Sequence, residues 1–153
     1  KSGQLFLAAR NHSKVTSYCK NLNANLVEWP VSKDLLKSID VLINCTILGS
    51  HIKTKIEGKM VTVENYTPLS KWEDDKAAIN SLQIMKSDSI VFDIIYDPTP
   101  TKLLKLAVGR DLKILDGQQM NIEQAVLAFN YAVTECKDLS FVREIMLQAK
   151  KKF

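Results

Sequence analysis

Two strand-to-helix junctions in the second half of the sequence constrain its fold more than any other feature. An apolar run over residues 90–96 ends in a polar corner that contains Pro98 and Pro100, and a helical pattern follows. About twenty residues later a short apolar segment ends in Asp116 and Gly117, and a second helical pattern begins. Strands that alternate with helices form parallel sheets, which bind ligands at the carboxyl ends of their strands. The sequence therefore predicts an α/β protein with a Rossmann-like parallel sheet and flanking helices.

The same alternation extends along the rest of the chain. Short apolar runs predict strands over 4–8, 25–29, 41–45, 90–96 and 112–115. Apolar residues at helical spacing predict helices over 12–22, 34–39, 72–84, 101–108, 120–134 and 139–151. Between them, 60–63 is a candidate strand and 66–69 is typical of a loop.

The apolar pattern also predicts which faces point inward. The strand over 90–96 is nearly continuously apolar, which is typical of a parallel strand covered on both faces. The helix residues expected to face the core are Val15, Tyr18, Cys19 and Leu22, then Ile122, Ala125, Val126, Phe129 and Val133, and finally Phe141, Ile145 and either Met146 or Ala149.

Composition and charge exclude several classes of protein. A hydrophobic fraction of 46% with 25% charged residues is typical of one soluble globular domain, and no apolar run approaches the roughly 18 residues of a membrane span. Cys19, Cys45 and Cys136 form no C-x-x-C pair, which indicates reduced thiols and a cytoplasmic location. Neither they nor His12 and His51 have metal-ligand spacing, so we expect no metal site. The net charge of +4 is mild, and no nucleic-acid-binding module is present.

A cationic cluster follows the first predicted strand. Dinucleotide-binding sheets that prefer NAD place an acidic residue at this point to bind the ribose 2′-hydroxyl, whereas NADP sites place cations there. Here Arg10 follows Ala9, and Lys14 comes one helical turn later, with Asn11 between them. Arginine can bind a phosphate through two parallel hydrogen bonds, so these residues predict an NADP site. The alternative is that they are ordinary solvated side chains at a helix start.

Three segments together resemble the cofactor domain of the shikimate dehydrogenases. Asn44 to Gly49 has the pattern N-x-T-x-x-G, Asp93 to Thr101 has D-[IV]-[IV]-Y-x-P-x-x-T, and Asp116 to Ala125 has D-G-x-x-M-x-x-x-Q-A. The resemblance covers roughly residues 4 to 135. It implies a single NADP-binding Rossmann-like domain over 1–153, in which the segment 53–80 is an insertion. It also implies truncation at the N-terminal side, because the family's glycine-rich phosphate loop and N-terminal substrate domain do not occur in this sequence.

The resemblance also implies roles for individual residues. It assigns Thr46, Ile94, Gly117 and Met120 to the cofactor, in addition to Arg10, Asn11 and Lys14. It assigns Tyr96 and Gln124 to the substrate. The alternatives without a ligand are a turn at Thr46, helix packing at Met120 and helix surface at Gln124. No residue matches the family's catalytic lysine and aspartate, so we name no catalytic residue.

The implied activity is the NADPH-dependent reduction of 3-dehydroshikimate to shikimate in aromatic amino-acid biosynthesis, by a longer enzyme of which this chain alone is inactive. A quinate or quinate/shikimate dehydrogenase is a second possibility. A third is a degenerate, non-catalytic interaction module. It is motivated by departures from the family patterns N-R-T-x-x-[RK] and D-G-x-G-M, since Ala9, Asn11 and Gln119 stand where the family has Asn, Thr and Gly.

Overall fold

Strands and helices alternate along the chain in a computed structural model that describes residues 3–56, 58–133 and 138–150. The strands are β1 (Phe6–Ala8), β2 (Asn25–Val27), β3 (Val41–Asn44), β4 (Lys53–Ile56), β5 (Lys59–Thr62), β6 (Ile90–Asp93) and β7 (Lys113–Leu115). The helices are α1 (His12–Leu22), α2 (Lys33–Ser38), α3 (Asp75–Gln83), α4 (Lys102–Val108), α5 (Gly117–Ala132) and α6 (Leu139–Lys150). A short 3-10 helix, Val63–Asn65, follows β5.

Five of the strands pair in parallel, as the sequence predicts. β6 lies between β3 and β7, with Leu42, Val91 and Ile114 in register across the three strands. β1 pairs with β2 alone, in a separate two-stranded sheet. The Rossmann-like α/β fold is confirmed, although the described strands form two parallel sheets rather than one.

A hairpin made of β4 and β5 is the main element that the sequence pattern missed. The two strands are antiparallel, with Lys53 opposite Thr62 and Ile56 opposite Lys59. β4 has the sequence Lys-Thr-Lys-Ile, whose charged residues do not give the apolar–polar alternation that predicts a strand. The candidate strand over 60–63 is confirmed in position as β5.

The core lies on one face of the three-stranded sheet. The buried residues that form it come from α2, α3, β6 and α4, and include Leu36, Leu82, Val91, Leu103 and Leu104. Full burial of such a side chain contributes about 1.5–3 kcal/mol to folding. Packing on this face therefore determines the positions of α2, α3 and α4 on the sheet.

The opposite face of this sheet is open within the described residues. Val41, Ile43 and Leu115 are 47%, 48% and 52% exposed, and Phe92 is half-buried. The expectation that the strand at 90–96 is covered on both faces is therefore wrong for the described part of the chain.

Several predicted inner faces are also exposed, because no described element packs on them. In α1 only Cys19 is buried, while Tyr18 and Leu22 face outward. The buried residues of α5 and α6 are Gly117, Val126 and Val142, whereas the wrongly predicted ones are exposed: Ala125, Phe129, Val133, Phe141, Ile145 and Ala149. Met146 is half-buried.

A bidentate ion pair connects α5 and α6. The guanidinium of Arg143 donates from Nε and Nη2 to the two carboxylate oxygens of Glu123 at 2.6 and 2.7 Å. These hydrogen bonds hold the pKa of Glu123 below its ordinary value. The pair fixes the rotation of α6 against α5.

Element boundaries follow local capping chemistry. α3 begins at Asp75 rather than 72, because Trp72 has a left-handed φ of 59° and Asp74 caps the helix. α5 begins at Gly117 rather than 120, because Asp116 accepts a hydrogen bond from the backbone of Gln118. β6 ends at Asp93, three residues before the predicted end. The predicted helix ends at 134 and 151, and Cys136, lie outside the described residues.

None of the described helices is long and apolar enough to cross a membrane.

Candidate functional site

The loops after β3, β6 and β7 converge, because these three parallel strands are neighbours and end at the same edge of the sheet. Most of the residues predicted to bind cofactor or substrate lie on these loops or at the start of α5. Of the residues predicted to bind cofactor after β1, Arg10 lines a second pocket, whereas Asn11 and Lys14 do not.

Asp93 connects the first two of these loops from a fully buried position. Its Oδ1 accepts hydrogen bonds from Asn44 Nδ2 and from the backbone N–H of Ile95, both at 3.1 Å. Its Oδ2 accepts from Thr101 Oγ1 at 2.7 Å. Burial raises the pKa of Asp93, and the three hydrogen bonds oppose that rise. Asp93 therefore binds the loop after β6 to the turn after β3.

Asn44 and Thr46 form the turn after β3. The Thr46 hydroxyl donates to Asn44 Oδ1 at 2.8 Å and accepts from the backbone N–H of Leu48 at 3.1 Å. Asn44 Nδ2 also donates to the Leu48 carbonyl at 3.0 Å. Thr46 thus stabilises the turn while remaining exposed, and its contact with a cofactor stays a prediction.

Gly117 lies against the backbone at the end of β6. A Cβ atom at this position would be 2.1 Å from the carbonyl oxygen of Ile94 and 2.8 Å from the carbonyl carbon of Ile95. No residue with a side chain fits there without moving α5 away from the strand. The start of α5 and the half-buried Ile94 are therefore packed together and form one continuous surface.

Tyr96 and Gln124 do not line a common cavity in the described residues. Tyr96, 54% exposed, lines a cavity of about 470 Å³ together with Gln118 and Asn121 of α5. Gln124 is exposed and belongs to a different side of α5, which it shares with Met120, four residues earlier. Their joint contact with a substrate stays a prediction.

Arg10 lies in a second cavity, of about 260 Å³, which we call the cationic pocket. It is lined by residues from the ends of β1 and β2 and from the segment 48–72, including Arg10, Trp29, Lys55, Ser70, Lys71 and Trp72. The guanidinium carbon of Arg10 is 5.8 Å from the centroid of the Trp29 ring, at the distance of a cation–π contact.

Asn11 and Lys14 have different surroundings from Arg10. Asn11 caps α1, and its side-chain oxygen accepts from the backbone N–H of Lys14 at 3.4 Å and from the Ser13 hydroxyl at 2.7 Å. Neither Asn11 nor Lys14 lines the cationic pocket. Their contact with a cofactor stays a prediction.

The sequence pattern does not identify four functional candidates: His51, Lys55, Lys71 and Trp72. His51 lies 3.1 Å from a carboxylate oxygen of Glu64 and 3.4 Å from one of Asp97, so it joins the loops after β3 and β6. The other three line the cationic pocket. No local pattern identifies them, because their positions depend on contacts between distant segments.

No cluster of three potential metal ligands occurs among the residues that the structure describes.

No family model matches the chain. It is 26% identical over 153 residues to a shikimate dehydrogenase (NADP(+)) of Microcystis aeruginosa, covering 95% of this chain and 47% of the relative. It is 32% identical over 117 residues to a protein of the same name from Alkaliphilus metalliredigens, covering 75% of this chain and 33% of the relative.

Among solved structures, a quinate dehydrogenase from Corynebacterium glutamicum in complex with NAD matches with a TM-score of 0.69. The match has 24% identity and covers 95% of this chain and 46% of the other, and at that identity it shows the fold alone. The chain thus spans about a third to a half of the proteins it matches.

Proposed function

This chain belongs to the shikimate dehydrogenase family, and we propose that it is the cofactor-binding part of an NADP-dependent oxidoreductase of that family. The whole enzyme would reduce 3-dehydroshikimate to shikimate with NADPH, in aromatic amino-acid biosynthesis. The observation that carries the proposal is the convergence of the three family-like loops at one edge of the sheet, with Gly117 packed on Ile94. The cysteine pattern supports a cytoplasmic location.

The residues present fit a dinucleotide. Gly117 lets the start of α5 pack directly on the backbone of Ile94, which a Cβ atom would prevent. The two would form one surface on which a flat ring system can lie. Arg10, in the cationic pocket, offers a planar cation to a phosphate. Ile94, Met120 and Thr46 would complete the contacts. The nicotinamide cofactor, when bound, supplies the hydride chemistry, and this chain orients it.

The sheet itself supports a preceding strand and helix. Rossmann sheets commonly have the strand order 3-2-1-4-5-6, and β2, β1, β3, β6 and β7 fit positions 3, 2, 4, 5 and 6. Within the described strands, β1 and β3 each have one unpaired edge. We propose that a strand upstream of residue 3 pairs with both. Its phosphate-binding loop and helix would cover Val41 and Ile43, and the substrate domain would precede it.

Two other functions compete with this one. A quinate dehydrogenase that uses NAD is disfavoured by Arg10, because no acidic residue replaces it after β1. A non-catalytic module remains the alternative that Gln119 motivates, since this exposed side chain stands where the family pattern has glycine.

The test of the proposal is a steady-state assay of the natural full-length protein. Shikimate with NADP, shikimate with NAD, and quinate with each cofactor would be compared at equal enzyme concentration. Turnover fastest with shikimate and NADP is the expected result. Turnover with quinate and NAD alone would favour the second function, and a folded protein without any turnover would favour the non-catalytic module.

Replacing Arg10 with alanine is expected to weaken NADPH binding far more than NADH binding. The loss of a charge-assisted contact to the 2′-phosphate costs about 1.5–3 kcal/mol, and NADH lacks that phosphate. Titration calorimetry with both cofactors measures the difference. Lys20→Ala, which removes a cation from the far end of α1, is the matched control. An equal loss for both cofactors would contradict the phosphate-binding role.

Tyr96→Phe and Gln124→Ala are expected to raise KM for shikimate while the affinity for NADP stays nearly unchanged. Each side chain offers a neutral hydrogen bond, and a bond made equally in ground and transition states changes KM rather than kcat. Tyr131→Phe is a suitable control, because Tyr131 is 85% exposed. Wild-type kinetics in both variants would refute the assignment of these residues to the substrate. A change in only one variant would assign the contact to that residue alone.

A further inference from the structure

The cationic pocket contains more positive charge than the cluster after β1 accounts for. Arg10 comes from the end of β1, Lys55 from the hairpin strand β4, and Lys71 from the loop before α3. None of the described residues that line it is acidic. Among the residues that the structure describes, these three cations form no ion pair with any carboxylate. Three like charges around one small cavity repel each other, and an anion bound between them would relieve that repulsion.

The walls of the same pocket are aromatic. Trp29 and Trp72 both line it, and they are the only two tryptophans of the chain. The Trp29 ring is fixed in place, because its indole N–H donates to the Pro68 carbonyl at 2.7 Å. Flat aromatic walls beside cations are suited to a heterocyclic base that carries a phosphate.

Trp72 reaches the pocket from an unusual backbone conformation. Its φ of 59° lies in the left-handed region, which bulky residues rarely adopt because their side chain crowds the backbone. Such strain persists where surrounding contacts enforce it, and it is concentrated at ligand sites. Trp72 is still 44% exposed, so one face of its ring remains open to a ligand.

The size of the pocket limits what it can hold. At about 260 Å³ it is slightly smaller than the roughly 300–1,000 Å³ of pockets that enclose a whole drug-sized ligand. It therefore suits one end of a dinucleotide. A buried hydroxyl is also present, since Ser70 is only 4% exposed.

We propose that Lys55, Lys71 and Trp72 form the second wall of the adenosine 2′-phosphate site, opposite Arg10 and Trp29. Lys55 and Lys71 bind the 2′-phosphate as point charges, and Trp72 packs on the adenine. Lys55, Lys71 and Trp72 thus determine the preference for NADP over NAD, together with the end of β1. This inference rests on the proposed function, because it assigns part of that cofactor site.

The test compares single and double variants of the full-length protein by titration calorimetry. The probes are NADPH, NADH, adenosine 2′,5′-bisphosphate and adenosine 5′-monophosphate. Lys55→Ala and Lys71→Ala are each expected to weaken NADPH and the bisphosphate about tenfold, the double variant more, and to leave NADH and the monophosphate within about twofold. Lys53→Ala and Lys59→Ala change the same hairpin without touching the pocket, and are expected to bind all four probes as the wild type does.

Trp72→Phe is expected to keep most of the affinity, and Trp72→Ala to lose it for all four probes. Losses in the Lys55 and Lys71 variants no larger than in the Lys53 and Lys59 variants would overturn the inference. So would equal losses for NADPH and NADH. All of these substitutions affect exposed side chains, so folding is expected to persist, and circular dichroism verifies it.

The outcome separates this inference from the proposed function. If the protein turns over shikimate and NADP while its Lys55 and Lys71 variants bind the probes as the controls do, the proposed function is supported and the assignment of the pocket is refuted. If the protein has no turnover but binds the bisphosphate through Lys55 and Lys71, the assignment of the pocket is supported and the proposed function is refuted.

Discussion

Gly117→Ala is expected to lower the free energy of unfolding by about 3 kcal/mol or more and to abolish cofactor binding. The added Cβ would meet the Ile94 carbonyl oxygen at 2.1 Å, a distance that real Cβ atoms essentially never show. Both contacting groups, at Ile94 and Ile95, are backbone, so neither can rotate away as a side chain could. Relief requires α5 to move off the end of β6, and this movement would open the surface proposed for the nicotinamide.

Denaturant unfolding of the variant and the wild type measures this effect. Gly109→Ala is the matched control, because a Cβ at Gly109 would make only ordinary contacts at 3.5 and 3.7 Å. Its stability is expected to stay within about 1 kcal/mol of the wild type. Equal stabilities of the two variants would show that α5 is not held against β6 by this contact. Cofactor titration of the folded fraction then reports whether the surface at Ile94 has changed.

The close contact at Gly117 illustrates what could be predicted from the sequence. The residue pair Asp116-Gly117 after a short apolar run predicts the end of a strand shortly before a helix. The structure has this order, although the helix begins at Gly117 rather than at 120. The backbone approach of Gly117 to Ile94 is a tertiary contact between residues more than twenty positions apart. A resemblance to a family indicates such a glycine, whereas periodicity alone cannot.

The errors in predicted burial have a different physical origin. Apolar spacing shows which side of a helix is apolar, and it did so for Tyr18 and Phe129. It cannot show whether a covering element is present, and both side chains are exposed among the described residues. The open side of the sheet at Ile43 has the same explanation.

The cationic pocket could not be predicted because it is assembled from distant segments. Arg10 is identifiable in the sequence because it follows a predicted strand at a point where no acidic residue is present. Nothing in the sequence distinguishes Lys55 and Lys71 from other surface lysines. The fold brings Lys55 of the hairpin and Lys71 of the loop before α3 to the same pocket as Arg10.

Asp93→Ala is expected to be the second strongly destabilising change, with a loss of about 4 kcal/mol in the free energy of unfolding. Removing the carboxylate leaves the Thr101 hydroxyl and the Ile95 N–H without their buried acceptor. Asn44 keeps its bond to the Leu48 carbonyl, so it is less affected. The turn after β3 and the loop after β6 would then lose their common anchor. Asp88→Ala, at an exposed position, is the control and should change stability by less than about 0.5 kcal/mol.

The pH dependence of Asp93→Asn separates the hydrogen bonds from the charge. Burial raises the pKa of Asp93 in the folded protein above its value in the unfolded chain, so the folded state binds the proton more tightly. This residue therefore favours folding most below the ordinary aspartate pKa, and that contribution is lost as the pH rises through the folded-state pKa. Asparagine cannot ionise and can still accept from Asn44 and Ile95, while Thr101 can rotate to accept from its amide. The stability of Asp93→Asn relative to wild type is thus expected to increase with rising pH, measured by urea unfolding in steps from acidic to neutral pH. A constant difference across that range would mean that the hydrogen bonds offset the burial of the charge completely, and Asp93 would then act through its geometry alone.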